Sequence, residues 1–181
     1  LFGNPERAGV QLSPNGKFIS YLAPVDGVLN VWVGPADKPG AAKPVTKDTN
    51  RGIRSYFWSY TSKHILYVQD LDGDENWHVY AVDLETNTTK DLTPIKGVAA
   101  HINATSWRFP NEILVGLNDR DERYHDVDRV NIETGERTLG AMPLYHTMGV
   151  RSLLAMSLIN GLFCCLPRFE TGRALALIPE E

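Results

Sequence analysis

Ser59-Tyr60-Thr61-Ser62-Lys63-His64-Ile65-Leu66-Tyr67 is the stretch that decides the reading of this chain, because it has two further copies. Ser13-Pro14-Asn15-Gly16-Lys17-Phe18-Ile19-Ser20-Tyr21 precedes it, and Arg108-Phe109-Pro110-Asn111-Glu112-Ile113-Leu114-Val115 follows. Each copy is a polar turn leading into a short β-branched and aromatic run, which is strand chemistry. A bulky apolar residue stands before each turn: Leu12, Trp58 and Trp107. The equal offset predicts that all three occupy one buried position in successive units.

The second half of the unit recurs in phase. Asn30-Val31-Trp32-Val33 is matched by Trp77-His78-Val79-Tyr80-Ala81-Val82 and by Val127-Asp128-Arg129-Val130. Polar turns follow at Gly34–Asp37, Asp83–Asn87 and Asn131–Gly135, and then short runs ending at Thr46, Thr93 and Thr138. About four short strands in a unit of roughly 45 residues is the signature of a propeller blade. A β-sandwich is the competing architecture, but it would not repeat the order of turns and strands three times in phase.

The expected fold is therefore all-β: a partial β-propeller of about three four-stranded antiparallel blades, with an irregular or helical C-terminal tail. The blades should span about 10–50, 51–97 and 98–139 within a propeller region of 1–139, and 140–181 forms a divergent tail. In that tail Leu154, Leu158 and Leu162 stand four apart, a helical period. Blades bury their faces against neighbours around a ring, so three alone leave two faces open. Such a chain should belong to something larger or be only marginally stable.

Composition narrows the function. The 181 residues are 43% hydrophobic and 22% charged, ordinary values for a globular protein. A net charge of −4, with Lys and Arg interleaved among Asp and Glu, argues against a nucleic-acid partner. The longest apolar run, Ser152 to Leu166, is broken by Asn160 and Gly161 and is too short for a membrane span. Cys164 and Cys165 are adjacent, so they offer neither a disulfide framework nor metal spacing and read as apolar packing residues. The missing disulfide pattern and the lack of a signal peptide at Leu1–Pro5 lean towards the cytoplasm.

Few residues invite a chemical role. His64, His78, His101, His125 and His146 lack metal-ligand spacing with one another. His78 and His125 fall in equivalent strand regions and read as structural. Asp70-Leu71-Asp72-Gly73-Asp74-Glu75-Asn76 has the alternating carboxylates of a calcium loop, but its Gly73 is fourth where an EF-hand wants glycine sixth. An acidic hairpin turn is the better reading, with weak cation binding as the alternative. Asp119-Arg120-Asp121-Glu122-Arg123 reads as a solvated turn, and Arg120 or Arg123 could face a substrate at a propeller mouth.

Several strings resemble the prolyl oligopeptidase family, in its branch of dipeptidyl and acylaminoacyl peptidases. They are Leu1–Arg7, Leu12–Lys17, Asn30–Val33, Asp70–His78, Asp91–Pro94, and Asn118–Asp121 through His125–Val127. The Asp70–His78 string is the most specific of them. Asp128 departs from the pattern, because an aromatic or apolar residue is usual there, so its strand should be weakened.

The resemblance implies an N-terminal, substrate-gating propeller over an α/β-hydrolase domain that carries a Ser nucleophile, an Asp and a His. The implied partners are that hydrolase domain and the parent enzyme's peptide substrate, with no nucleic acid and no membrane. The chain itself holds no G-x-S-x-G elbow, the turn that presents such a nucleophile. Ser13, Ser55, Ser59 and Ser106 lie at blade turns, where hydroxyls cap backbone groups. No residue is therefore assigned to catalysis, to a cofactor or to a metal. The alternative is a stand-alone TolB-like or WD-repeat-like propeller module for protein–protein binding.

Overall fold

Three meanders of four antiparallel strands follow one another in the computed structural model, which describes residues 6–71 and 73–138. The first comprises β1 (Ala8–Leu12), β2 (Phe18–Val25), β3 (Val28–Pro35) and β4 (Lys43–Pro44). The second comprises β5 (Tyr56–Trp58), β6 (His64–Gln69), β7 (His78–Asp83) and β8 (Thr88–Asp91). The third comprises β9 (Ala100–Ser106), β10 (Phe109–Asp121), β11 (Tyr124–Asn131) and β12 (Arg137–Thr138). Strand order in each sheet is sequence order, the arrangement of a propeller blade. The described residues are essentially all-β, a partial β-propeller. The tail 140–181, expected to be irregular or helical, lies outside the described residues.

The turns follow from local chemistry. Asp26 and Gly27 both take positive φ, 49° and 86°, and close the two-residue hairpin that sets Val25 opposite Val28. Ser13 and Ser59 are the same device in two blades. Each Oγ accepts the backbone N–H five residues on, from Phe18 at 3.0 Å and His64 at 3.1 Å. Each turn also needs a left-handed residue, Gly16 (φ 70°) or Ser62 (φ 60°). Asp83 and Asn131 likewise cap their turns, each side chain accepting the N–H groups two and three residues on.

Alternation along β6 divides the core. Ile65 points at the first sheet, where it packs with Leu22, Val31, Tyr56, Trp58 and Val82. Leu66 points at the third, with Val79, Ala81, Leu92, Ile113, Val115 and Val130. Each such side chain contributes roughly 1.5–3 kcal/mol on full burial, so the two seams hold the blades side by side. A directed chain of hydrogen bonds crosses the first seam. Trp58 Nε1 donates to Ser20 Oγ (2.8 Å), Ser20 is 2.8 Å from Tyr56 OH, and Tyr56 OH donates to the Gly9 carbonyl (2.7 Å).

Two of the three equivalent burial positions need correction. Trp58 is 7% exposed, as expected, but Leu12 is 63% and Trp107 69% exposed. Leu12 is in register with Ile19 as Trp58 is with Ile65, so it does hold the equivalent position. It faces the side of the first blade that no described sheet covers. Trp107 holds a different position: Ile113 pairs with Thr105, which puts Trp107 out in the β9–β10 turn, under Arg108. A register shift between Phe109 and Ile113 lengthens that hairpin and defeats the sequence offset. The strand expected to be weakened at Asp128 is continuous: Asp128 pairs with Val115, lies 9% exposed, and has Arg137 Nη1 3.4 Å away.

Candidate functional site: a cleft on one rim of the blades

In a meander the start of the first strand, the end of the second and the start of the third share one rim. Arg51, Gly52, Arg54 and Ser55 precede β5, Asp70 follows β6, Trp77 precedes β7, Ala99 precedes β9, and His125 is the second residue of β11. These residues line one cleft of about 500 Å³ between the second and third blades. Its walls carry apolar Phe57, Val68 and Ile102 and a few convergent polar groups, the usual make-up of a ligand site.

Asp70 is the most constrained polar group there. Its side chain is 1% exposed, and Arg51 Nη1 lies 3.4 Å from Oδ2. Neither carboxylate oxygen has a hydrogen-bond partner among the described residues. Arg51 is held close against Gly73, where a Cβ would collide with its guanidinium. The linker guanidinium thus sits against Gly73 while pairing with Asp70. Asp48 anchors the same linker by accepting the Gly52 N–H.

The rest of the acidic segment is a turn. Asp74 accepts N–H bonds from Leu71 (3.3 Å) and Asn76 (3.1 Å), and the Asn76 bonds hold its carboxyl below the usual range. Asp70 points away from it towards Arg51. Among the described residues no three His, Cys, Asp or Glu side chains converge as they would on a metal ion.

The structure scatters the other candidates. Ser13 and Ser59 cap turns, Ser106 Oγ accepts the Arg108 N–H (3.2 Å), and Ser55 is exposed on the cleft. Ser59 takes the backbone N–H of His64, and the imidazole is not engaged by it. His64 lies near Asp83 at 3.9 Å, and burial holds its imidazole below the ordinary range. His78 Nδ1 sits 2.6 Å from Asp91 Oδ2, a satisfied structural pair. His125 is exposed and meets His101 instead. His146, Cys164 and Cys165 lie outside the described residues. Arg120 makes a bidentate pair with Asp126 (2.5 and 2.7 Å), and Arg123 pairs with Asp121 (3.0 and 2.8 Å). Sequence reasoning missed Arg51 and Arg54. The available signal was a pair of arginines in a blade-to-blade linker, where an exposed strand needs none.

No family model matches the chain. The chain is 57% identical over 139 residues to dipeptidyl aminopeptidase BIII of Pseudoxanthomonas mexicana, covering 77% of this chain and 20% of that protein. It is 27% identical over 146 residues to dipeptidyl peptidase family member 6 of Caenorhabditis elegans, with the same coverage. The chain thus spans about a fifth of the length of the curated relatives it matches. Among solved structures, the acylaminoacyl peptidase of Pyrococcus horikoshii aligns with a TM-score of 0.50 at 19% identity, covering 75% of this chain and 25% of that one. The propeller domain of the trilobed protease of Pyrococcus furiosus gives 0.50 at 18% identity, covering 74% and 42%. A TolB-like protein of Agrobacterium tumefaciens gives 0.52 at 16%, covering 77% and 50%, a likeness of fold alone. By sequence the chain is similar to a fifth of a dipeptidyl aminopeptidase, and by fold it is part of a β-propeller like those of the solved peptidases.

Proposed function

We propose that this chain is the substrate-gating propeller portion of a serine peptidase and is not catalytic by itself. The carrying observation is 57% identity to a dipeptidyl aminopeptidase over 139 residues, 77% of this chain. The rim cleft supports the reading physically. It offers guanidinium groups at Arg51 and Arg54, a buried carboxylate at Asp70, and apolar walls, a set suited to the charges and side chains of a short peptide. The reaction would be acyl transfer from a peptide to water at a Ser–His–Asp centre in an α/β-hydrolase domain of the parent chain. The propeller would limit what reaches that centre and add binding contacts away from the scissile bond.

The coding sequence beyond residue 181 tests this reading. A G-x-S-x-G string followed by Asp and then His supports it. Further blades followed by a stop codon would favour the stand-alone binding module instead.

A further inference from the structure

Gly116 lies on β10 directly opposite His101 of β9 on one side and Val127 of β11 on the other. His125 stands two residues from Val127, on the same face of the sheet. A side chain at position 116 would separate the two histidines. A Cβ there would fall 2.5 Å from His101 Cε1, 2.7 Å from His101 Nε2 and 2.7 Å from Asn103 Oδ1. Because the residue is glycine, the His101 imidazole lies across β10 and meets that of His125. Their ring centroids are 4.8 Å apart with the planes tilted 57°.

The spacing suits a shared ion. A zinc–nitrogen bond is about 2.0–2.1 Å and a ring centre lies roughly 1.1 Å behind its nitrogen, so two imidazoles on one ion at 90–109° place their centroids about 4.5–5.2 Å apart. The Asn103 amide oxygen shares the space above Gly116 with His101 Nε2 and supplies a third donor.

We propose that His101 and His125, with Asn103, bind a late first-row divalent cation such as Zn²⁺ on the rim of the cleft. Imidazole donors select this class of ion over Mg²⁺ and Ca²⁺, and water completes the coordination shell. The inference is independent of the peptidase reading, since it uses only the third blade.

The test is calorimetric titration of ZnCl₂ into the chelator-stripped 181-residue chain carrying Cys164→Ser and Cys165→Ser, so that the thiols do not compete. One saturable binding event is expected, with none for MgCl₂. His101→Ala and His125→Ala should each abolish it while leaving the far-ultraviolet circular dichroism unchanged, since both side chains are exposed. Gly116→Ala should weaken it with both histidines still present. Absence of Zn²⁺ binding, or binding that survives both histidine substitutions, would overturn the proposal.

Discussion

Trp58 Nε1 donates a 2.8 Å hydrogen bond to Ser20 Oγ across the seam between the first and second blades. The indole also stacks on Phe18, with centroids 6.3 Å apart. One side chain therefore supplies both apolar burial and a polar lock to the neighbouring blade.

Trp58→Ala should cost about 3–5 kcal/mol, the range for emptying a large aromatic site. Trp58→Phe keeps most of the apolar contact and loses the hydrogen bond, for about 1 kcal/mol. Leu12→Ala, at the equivalent but open position, should change stability by no more than about 0.5 kcal/mol. Urea unfolding of the three variants gives the comparison. Equal losses at Trp58 and Leu12 would contradict the assignment of faces.

The repeat was legible in the sequence because its first two turns use the same atoms, as Ser13 and Ser59 do. Burial was legible only where a neighbour exists. Leu12 is in the correct register, yet its exposure depends on which faces other sheets cover, and a single repeat unit carries no such information. Trp107 failed for a local reason, because a register shift inside the β9–β10 hairpin leaves no mark in residue type. The cleft was least legible of all. Arg51 and Asp70 lie far apart along the chain, in a linker and a loop with no shared pattern, and only the blade geometry brings them together.

Burial pushes the Asp128 carboxyl up to about 6, with Arg137 opposing and Asp119 and Asp126 adding to the rise. Its folded pKa therefore exceeds the unfolded value of about 3.9. The folded state binds the extra proton, so the stability Asp128 contributes is full below about pH 4 and is lost as pH rises through about 6. Two units correspond to roughly 3 kcal/mol as an upper figure. Asp128→Asn should gain stability over the wild type as pH is raised from 4 to 7, read as the difference between their urea midpoints. A pH-independent difference would refute this.

Arg51→Ala removes the partner of a buried carboxylate and should destabilise by about 1–3 kcal/mol, since Arg51 itself is partly exposed. Adding Asp70→Asn should recover part of that loss, because no unpaired charge then remains buried. The double-mutant cycle is the measurement. Simple additivity of the two substitutions would mean that the 3.4 Å contact carries no coupling.

The division between gate and catalyst is tested most directly by activity. The 181-residue chain and a longer chain reaching through the α/β-hydrolase domain that the proposed function calls for would be assayed side by side. Both receive chromogenic aminoacyl and acyl-aminoacyl substrates and a serine-reactive phosphonate probe. The account predicts no turnover and no labelled serine in the short chain, with turnover and one labelled serine in the longer one. Turnover with labelling of Ser13, Ser55, Ser59 or Ser106 in the short chain, or silence from the longer chain, would contradict it.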